Sequence, residues 1–404
     1  MAVVVQRLLR TSKPKADESF MGYIIRLTER NGYESPSWIL EMAELNCGAS
    51  SPSCSFSFGA SERFNLLAKL TDTNISELLS ITYPLANVEH DYCLFFDNII
   101  PRYCLRLGRP KICPECLLES SYCRRIWDLS IVTTCLKHKC LLLDECANCE
   151  SFISWSRNHV SICSCEFDWR KSTPISVGAS ELSLTQHIHW LCGLPIDKDY
   201  TQDRLHQNPV LNLSLQDLLL TVFFIAGQYQ GLLVSTSKNL IPFGRNKDFH
   251  NLFSLAFSVF EDWPNAYYQF LDWRSKQEKC IPYIRQRQKS ILYREFGRFY
   301  AGLFKILSEC QFGFMKKAFV EYLIERWEGY CVLPASKKNN ITPHFENKYI
   351  SKIDAERLLE IFDGQIDQLI KIGKLKSIVR SKGMKRLIFV DVADIAKLMR
   401  ETVE

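Results

Sequence analysis

The sequence predicts a mainly α-helical chain of several domains, with small β elements in a cysteine-rich segment and in a C-terminal wing. Three observations predict this class. The chain has 404 residues, too many for one ordinary hydrophobic core. Its composition, 47% hydrophobic and 24% charged, is typical of folded domains. Apolar residues recur at helical spacing over much of its length. We expect domains at 1–100, 101–175, 176–333 and 348–404, with a polar linker at 334–347.

Helical patterns predict the first domain and the domain at 176–333. Near the start, Phe20, Tyr23, Ile24 and Leu27 recur at helical spacing, and Asn31-Gly32 supplies a helix end. Shorter helices should follow at 38–45, 61–70 and 76–81, with a serine-rich loop at 50–59. The first domain is therefore expected to be a small helix-turn-helix-like unit, and the later one to be helical and rich in aromatic residues.

The beginning of the chain lacks the pattern of a secretory signal. A short valine run is followed by Arg7 and Arg10 too soon for the apolar core of a signal peptide. The most apolar later stretch, 210–227, is interrupted by Asn212 and Asp217, which argues against a membrane span. We therefore expect a cytoplasmic protein with no membrane partner.

Seventeen cysteines in a reducing compartment point to metal binding, because a disulfide framework does not persist there. Cys113 and Cys116 form a CxxC pair, followed after eighteen residues by Cys135 and His138 in a CxxH pair. A two-residue gap lets both members of a pair reach one tetrahedral ion. The spacing predicts a closed Cys₃His zinc site.

A second set of cysteines follows directly. Cys146 and Cys149 form another CxxC pair, followed after thirteen residues by Cys163 and Cys165. These four thiolates predict a second closed site, so the segment at 101–175 should contain small zinc-ribbon β elements and two structural Zn²⁺ ions. Neither site leaves a position for water, which argues against a hydrolytic metal centre.

Two alternatives stay open for these cysteines. An interleaved cross-brace would use the same eight residues with the pairs exchanged between the ions. A redox CxxC explains one pair but not four. Cys123 and Cys140 lie in the same segment without completing a two-residue pair, and we assign them no role.

The domain at 348–404 has the element order of a winged helix-turn-helix. A first helix begins at Ser351 and carries apolar residues along one face, the last of them Phe362. After a break at Asp363-Gly364, a second helix follows with Ile372 among its apolar residues. Two β-like runs joined by a basic loop then form a wing, and a last helix packs back.

The stretch from the end of the second helix through the wing is strongly basic. Between 371 and 386 lie seven basic residues and no acidic one. The basic residues are Lys371, Lys374, Lys376, Arg380, Lys382, Lys385 and Arg386. DNA phosphates are their natural counter-charge. Gln365, Gln368 and Lys371 should point outward from a recognition helix, where glutamine can read adenine in the major groove. A protein-docking module with solvated lysines is the alternative interpretation.

The C-terminal pattern resembles the excisionase and MerR-like winged helices. Members of that group share a short helix, a turn, a Leu-Ile-Lys-x-Gly-Lys-Leu run and a basic wing. The corresponding run here is Leu369-Ile370-Lys371-Ile372-Gly373-Lys374-Leu375. The resemblance implies a DNA-binding winged helix-turn-helix.

The central segment resembles the TniQ/TnsD family of transposon target selectors. That family shares a CPxC pair, a tryptophan, a CxxH pair followed by a leucine, and then paired cysteines. The matching residues are Cys113-Pro114-Glu115-Cys116, Trp127, Cys135 with His138, Leu141, and Cys146 with Cys149. The run Asp17-Glu18-Ser19-Phe20, with Arg26, resembles the family's opening helix.

This resemblance implies an adaptor that selects the insertion target of a Tn7-like element. Such an adaptor recruits an AAA+ ATPase regulator, which in turn licenses the transposase. TnsD-like members bind a chromosomal attachment site directly, whereas other TniQ members work with a type I CRISPR Cascade complex and its guide RNA. Both routes, and a homodimeric state, stay open for this chain.

No catalytic residue is predicted. The sequence contains neither a GxxxxGK[ST] phosphate loop nor a GxSxG nucleophile elbow, and only His138 among the eight histidines has ligand spacing. We therefore expect a protein that is not an enzyme. The alternatives are a zinc-containing winged-helix transcriptional regulator and a zinc-dependent DNA-modifying enzyme.

Overall fold

A computed structural model gives the fold of the chain. It describes residues 7–45, 64–87, 92–196, 208–231, 244–279, 290–305, 307, 310–327, 348–362, 364–382 and 385–401. The predicted loop at 50–59 and the predicted linker at 334–347 lie outside these residues. Within them the chain is mainly helical, as the sequence predicts, and has a few small sheets. The sheet formed by residues 85–101 lies almost wholly in the first predicted domain, where the sequence predicts helices only.

The α-helices of the described residues are spread along the whole chain. In order they are Phe20–Asn31, Ser37–Met42, Asn65–Thr71, Ile75–Ser80, Pro114–Glu119, Ala179–Leu191, Leu215–Tyr229, Asn246–Ser258, Asn265–Lys279, Ile291–Phe296, Arg298–Lys305, Gly313–Glu325, Lys352–Leu359, Gln365–Lys371 and Val392–Glu401. In this part of the chain, no helix combines the length and the apolar character that crossing a bilayer requires.

Short antiparallel strands form three small sheets in the same residues. The first sheet has the order β1-β2-β3, the second pairs β4 with β5, and the third has the order β6-β8-β7. The strands are β1 (Leu85–Asn87), β2 (Tyr92–Phe95), β3 (Asn98–Pro101), β4 (Thr134–Cys135), β5 (Cys140–Leu141), β6 (Tyr349–Ser351), β7 (Ser377–Lys382) and β8 (Lys385–Asp391).

The chain divides into two compact units. The first contains residues 1–206, 211–229 and 235–257, and the second contains 207–210, 230–234 and 258–404. The first unit therefore holds all eight predicted zinc ligands, and the second holds all the predicted DNA-binding residues.

The helix Phe20–Asn31 opens the first unit and has both of its ends capped. The Ser19 hydroxyl accepts a hydrogen bond from the Gly22 backbone N–H at 3.2 Å. Gly32 adopts a left-handed conformation with φ of 69°, which closes the helix. Phe20, Tyr23, Ile24 and Leu27 are all buried, as their spacing predicts.

This helix packs closely against the cysteine-rich segment. The Ser19 N–H donates to the Cys123 carbonyl at 2.9 Å, and the Arg125 N–H donates to the Asp17 carbonyl at 2.7 Å. A Cβ on Gly22 would lie only 2.8 Å from the Cys123 Cβ, so the approach requires a glycine at this position. The N-terminal helix and the cysteine-rich segment share one core.

Another helix, Asn246–Ser258, is hydrogen-bonded to the cysteine-rich segment through its first residue. The Asn246 side-chain amide donates to the carbonyls of Thr133 and Leu142 at 2.8 and 2.7 Å. Its backbone N–H donates to the Asp144 carboxylate at 2.8 Å, and this carboxylate also accepts from Arg106 at 2.6 Å. The cysteine-rich segment is therefore held by helices from both sides of it in sequence.

The second unit has a core of aromatic side chains. Among its buried rings, Phe299 lies 5.4 Å from Phe270 and 6.1 Å from Phe319 between ring centroids. Such edge-to-face and tilted contacts are typical of a packed aromatic core. Helices from 258–327 supply these rings, as the sequence predicts for a helical and aromatic region.

The C-terminal part of the second unit is joined to those helices by a buried carboxylate. Asp354 is fully buried and accepts hydrogen bonds from the Ser290 hydroxyl at 2.5 Å and from the Ile291 N–H at 2.8 Å. Lys316 forms an ion pair with Glu360 in the same unit. The C-terminal part thus packs on the helices that precede it.

Two apolar residues of this part lie where the sequence pattern does not predict them. The first helix ends at Leu359, and Glu360 takes a left-handed conformation with φ of 56°. Phe362 consequently lies beyond the helix, is 83% exposed and contributes nothing to its apolar face. Ile372 follows the second helix and is 66% exposed. The predicted packing of these two side chains is wrong, because the helices end before them.

Candidate functional site

The first cysteine cluster is assembled from a helix start and a tight β turn. Cys113 precedes the helix Pro114–Glu119, and Cys116 lies in its first turn. Cys135 ends β4, and His138 lies in the turn that leads to β5. The four donor atoms lie within 4.8 Å of one another. Spacing alone groups the same four residues.

The distances in this cluster fit a single tetrahedral ion. The His138 Nδ1 atom lies 3.3 Å from the sulfurs of both Cys113 and Cys116, and 3.6 Å from that of Cys135. The sulfurs of Cys116 and Cys135 are 3.6 Å apart. Four donors at about 2.1–2.3 Å from a zinc ion would be separated by comparable distances. The three sulfurs are buried.

The other nitrogen of His138 is held by a carboxylate. Its Nε2 atom lies 3.0 Å from the Glu119 Oε1 atom, and Glu119 also pairs with Lys137. A histidine that donates its second ring N–H to a carboxylate keeps the first nitrogen directed at a metal. Glu119 therefore orients His138, and nothing in the sequence pattern marks this residue.

The second cluster is formed by two turns of similar construction. The Glu150 N–H donates to the Cys146 carbonyl and the Glu166 N–H donates to the Cys163 carbonyl, both at 2.9 Å. Glu150 and Glu166 both take left-handed conformations, with φ of 58° and 66°. The sulfurs of Cys146 and Cys165 are 3.7 Å apart. All four sulfurs of this cluster, those of Cys146, Cys149, Cys163 and Cys165, lie within 4.8 Å of one another.

The thiols of the second cluster differ in acidity. A hydrogen bond from the Asn148 amide, with a further one from the Phe167 backbone N–H, lowers the pKa of Cys165 to about 6. Burial raises the pKa of Cys163 to about 12. Cys165 is therefore the thiolate that is formed most readily, and a bound cation would favour deprotonation of the others.

Both clusters have the donor chemistry of a zinc site and could hold a metal ion. Each offers four soft or borderline donors, and each combines pairs that are neighbours in sequence. The interleaved cross-brace is not the arrangement of the structure. Because four protein donors complete a tetrahedron, neither cluster has the open position that a catalytic zinc requires.

Two further cysteines of the segment have different surroundings. Cys123 is buried, and its sulfur accepts a hydrogen bond from Arg157 at 3.5 Å. Cys140 is also buried, but its sulfur lies only 3.7 Å from that of Cys113. Cys140 pairs directly with Cys135 across β4 and β5. The hairpin register is the signal that places it beside the first cluster, and pair spacing alone misses it.

The predicted DNA-binding residues lie on the C-terminal part of the second unit. Gln365, Gln368 and Lys371 are exposed on the helix Gln365–Lys371, and Lys374 and Lys376 are exposed after it. Side chains from 380 to 386 lie outside the described part, and these include four predicted residues, Arg380, Lys382, Lys385 and Arg386. The strands that carry these four residues, β7 and β8, form an antiparallel hairpin.

One of the two glutamines has a structural partner. The Gln365 Oε1 atom accepts a hydrogen bond from the Phe362 backbone N–H at 2.8 Å, so the Gln365 side chain closes the turn that precedes its helix. Gln368 lies one turn further along the same exposed side. The sequence pattern predicts the same role for Gln365 and Gln368, but only the Gln365 amide oxygen has this backbone partner in the described residues.

Comparison with known protein families identifies a domain in the first part of the chain. Residues 9–142 match the TniQ family, which confirms the TniQ resemblance over these residues and supports a protein associated with Tn7-like transposition. The matched segment includes the first cysteine cluster and ends before the second. No curated protein matches the chain.

Proposed function

Taking the TniQ domain of residues 9–142 as the premise, we propose that the protein selects the insertion site of a Tn7-like transposon. In this role it binds target DNA and recruits the AAA+ regulator of transposition, and it has no catalytic centre of its own. The match to the TniQ family is the single observation that carries this proposal.

The two clusters then serve as structural zinc sites in the cytoplasm of the host cell. Zinc at each cluster would crosslink short strands and turns of the cysteine-rich segment. The first cluster would fix the segment on which the helix Phe20–Asn31 packs. The second would close the two turns at the exposed end of that segment. Neither ion would take part in a reaction.

The exposed helix Gln365–Lys371 and the hairpin after it form the surface we assign to DNA, as a winged helix-turn-helix. The seven basic residues between Lys371, which ends this helix, and Arg386 in the hairpin suit a phosphate backbone. Within the helix, Gln368 is the better candidate for reading adenine, because the amide oxygen of Gln365 already accepts a backbone N–H.

The other partners follow from the family role. Direct reading of an attachment site needs base contacts from this chain, whereas guidance by a Cascade complex and its RNA needs only contacts with the complex. The exposed side chains of Lys371, Lys374 and Lys376, which lie at the end of the helix Gln365–Lys371 and after it, favour direct contact with DNA. A homodimer would be compatible with either route.

Selection of bound sequences from random duplex DNA tests direct reading. At about 0.15 M salt, non-specific attraction to phosphate is partly screened. We expect the zinc-loaded protein to recover one motif. Recovery of no motif, with only salt-sensitive binding, would assign specificity to another component and overturn direct reading. Retention of the AAA+ regulator on the immobilised protein tests recruitment, and its loss would favour an ordinary zinc-containing transcriptional regulator.

Two sets of variants test the surface itself. Replacing Lys371, Lys374 and Lys376 by alanine should lower the salt dependence of DNA binding by up to about 2.7 in the log–log slope. A matched control removes three exposed charges elsewhere in the unit, at Lys317, Lys397 and Arg400. Equal losses in both triple variants would contradict the assignment.

A single substitution tests the reading residue. Gln368→Ala should weaken discrimination for adenine at one position of the selected motif by about 1–3 kcal/mol. Gln365→Ala should leave that discrimination largely intact. An unchanged motif in both variants would exclude base reading by this helix.

A further inference from the structure

A further cysteine sulfur lies beside the four donors of the first cluster. The donors are the sulfurs of Cys113, Cys116 and Cys135, with His138 Nδ1 as the fourth. The Cys140 sulfur lies 3.7 Å from that of Cys113, a separation similar to those within the cluster. Cys140 is therefore not one of the four donors that all lie within 4.8 Å of one another, but its sulfur is in contact with one of them.

Cys140 is held in this place by the backbone. It is the first residue of β5, it lies directly opposite Cys135 in the hairpin, and it is 1% exposed. His138 lies in the turn between these two residues. The short hairpin thus carries three potential donor side chains, and Cys135 and His138, which follow the CxxH spacing, are the two that belong to the cluster.

Among the four donors of the first cluster, His138 is the one whose orientation depends most on an exposed side chain. Its Nε2 atom is held by Glu119, whose side chain is 41% exposed and is shared with Lys137. The three cysteine sulfurs are buried in the same cluster. The imidazole is therefore the ligand that can leave with the least rearrangement of the core.

We propose that Cys140 is a reserve ligand of the first cluster, able to replace His138 and convert a Cys₃His site into a Cys₄ site. This proposal rests on zinc occupancy of that cluster, which is part of the proposed function. In the exchange the bond from zinc to His138 Nδ1 breaks and a bond from zinc to the Cys140 sulfur forms. The proton of the Cys140 thiol passes to the departing imidazole nitrogen, so the total charge is unchanged.

A purely supporting role for Cys140 makes a different prediction. A thiol that only donates a hydrogen bond to the Cys113 thiolate would tune the site without ever binding the ion. Its removal would then weaken zinc binding by the same factor whether or not His138 is present. If Cys140 is a reserve ligand, removing either His138 or Cys140 alone lowers zinc affinity slightly, whereas removing both lowers it severely.

The experiment measures zinc affinity by chelator competition for the full chain and for His138→Ala, Cys140→Ala and the double variant. Cys192→Ala is the matched control, since Cys192 is a buried thiol outside both clusters. We expect the loss in the double variant to exceed the product of the two single losses. A double-variant loss equal to or smaller than that product would overturn the proposal.

Cobalt substitution gives a second readout that does not depend on the double variant folding. Thiolate-to-cobalt charge-transfer absorption grows with the number of bound thiolates. His138→Ala should show stronger absorption per first-cluster ion than the parent protein, because a fourth thiolate has joined. Unchanged absorption, as expected for three thiolates and a water, would overturn the proposal. If the parent protein binds no metal at the first cluster, the structural-zinc assignment fails together with the reserve ligand, whereas a failure of only the variant tests leaves that assignment intact.

Discussion

The two cysteine clusters have similar donor sets but opposite surroundings. In the first, all three sulfurs are buried, and the neighbouring segment is bonded to helices from both ends of the unit. In the second, Cys149 and Cys165 are exposed, and each turn is closed by hydrogen bonds between residues close in sequence. The contrast indicates that one ion would organise a core and the other would close a surface feature.

The segment between the two pairs of the second cluster modifies this contrast. The Trp155 indole N–H donates to the Leu107 carbonyl at 2.6 Å, and the Val160 N–H donates to the Glu29 carboxylate at 3.0 Å. These bonds anchor the intervening chain to the core independently of any metal. Loss of the second ion should therefore affect the two turns more than the rest of the segment.

The largest expected effect is that of Cys116→Ser in the buried cluster. Structural zinc contributes an apparent free energy of about 10–16 kcal/mol, which is comparable with the whole stability of a typical domain. We expect loss of the cooperative thermal transition of the first unit and of one zinc ion per chain. Cys192→Ala, a buried thiol outside both clusters, should retain both. Unchanged zinc content and melting in Cys116→Ser would contradict the structural-metal assignment.

Cys149→Ser should have a smaller and more local effect. We expect loss of the other zinc ion, with faster amide hydrogen exchange at the two turns around 146–151 and 163–167. Amides near Leu142 and Leu143 should stay protected, because they bond to other parts of the core. The contrast between the buried and the exposed cluster would be wrong if Cys149→Ser lost the thermal transition of the first unit as completely as Cys116→Ser.

Glu119→Ala tests the carboxylate behind His138. Removing a carboxylate that holds a metal-binding histidine usually lowers metal affinity by about 10–100-fold. Zinc binding at the first cluster should therefore weaken within that range. The control is Glu115→Ala, on the same short helix. Chelator competition measures both variants, and equal affinities would show that Glu119 does not support the histidine.

The smallest effect is expected for Asn148→Ala at the exposed cluster. The amide of Asn148 is the first cause of the lowered pKa of Cys165, which lies at about 6. Without it, the pKa rises and protons compete for this thiolate up to a higher pH. Zinc loading of the second cluster should therefore shift to higher pH, by up to about one unit. A titration of zinc uptake against pH measures the shift, and a shift to lower pH would contradict this account.

Much of the first unit is predictable from local sequence rules. The helix Phe20–Asn31 follows from apolar spacing, Ser19 and Gly32, because caps and periodicity act within a few residues. Cluster membership follows from pair spacing for a similar reason, since a two-residue gap restricts where the two side chains can reach. The burial of one cluster and the exposure of the other depend on distant helices, so spacing carries no information about them.

The less predictable features depend on where helices end and on which strands pair. Phe362 continues an apolar pattern that the left-handed turn at Glu360 interrupts, and the pattern alone does not reveal that turn. Cys140 is significant only because the register of β4 and β5 sets it opposite Cys135. Gln365 looks like Gln368 until its bond to the Phe362 N–H is known.

The buried carboxylate of Asp354 has a mechanical consequence. It binds the Ser290 hydroxyl and the Ile291 N–H while lying at the start of the helix that precedes Gln365–Lys371. The orientation of that exposed helix relative to the aromatic core is therefore set by noncovalent bonds to Asp354. A DNA duplex bound to that helix would therefore lie at a fixed angle to the aromatic core of the same unit.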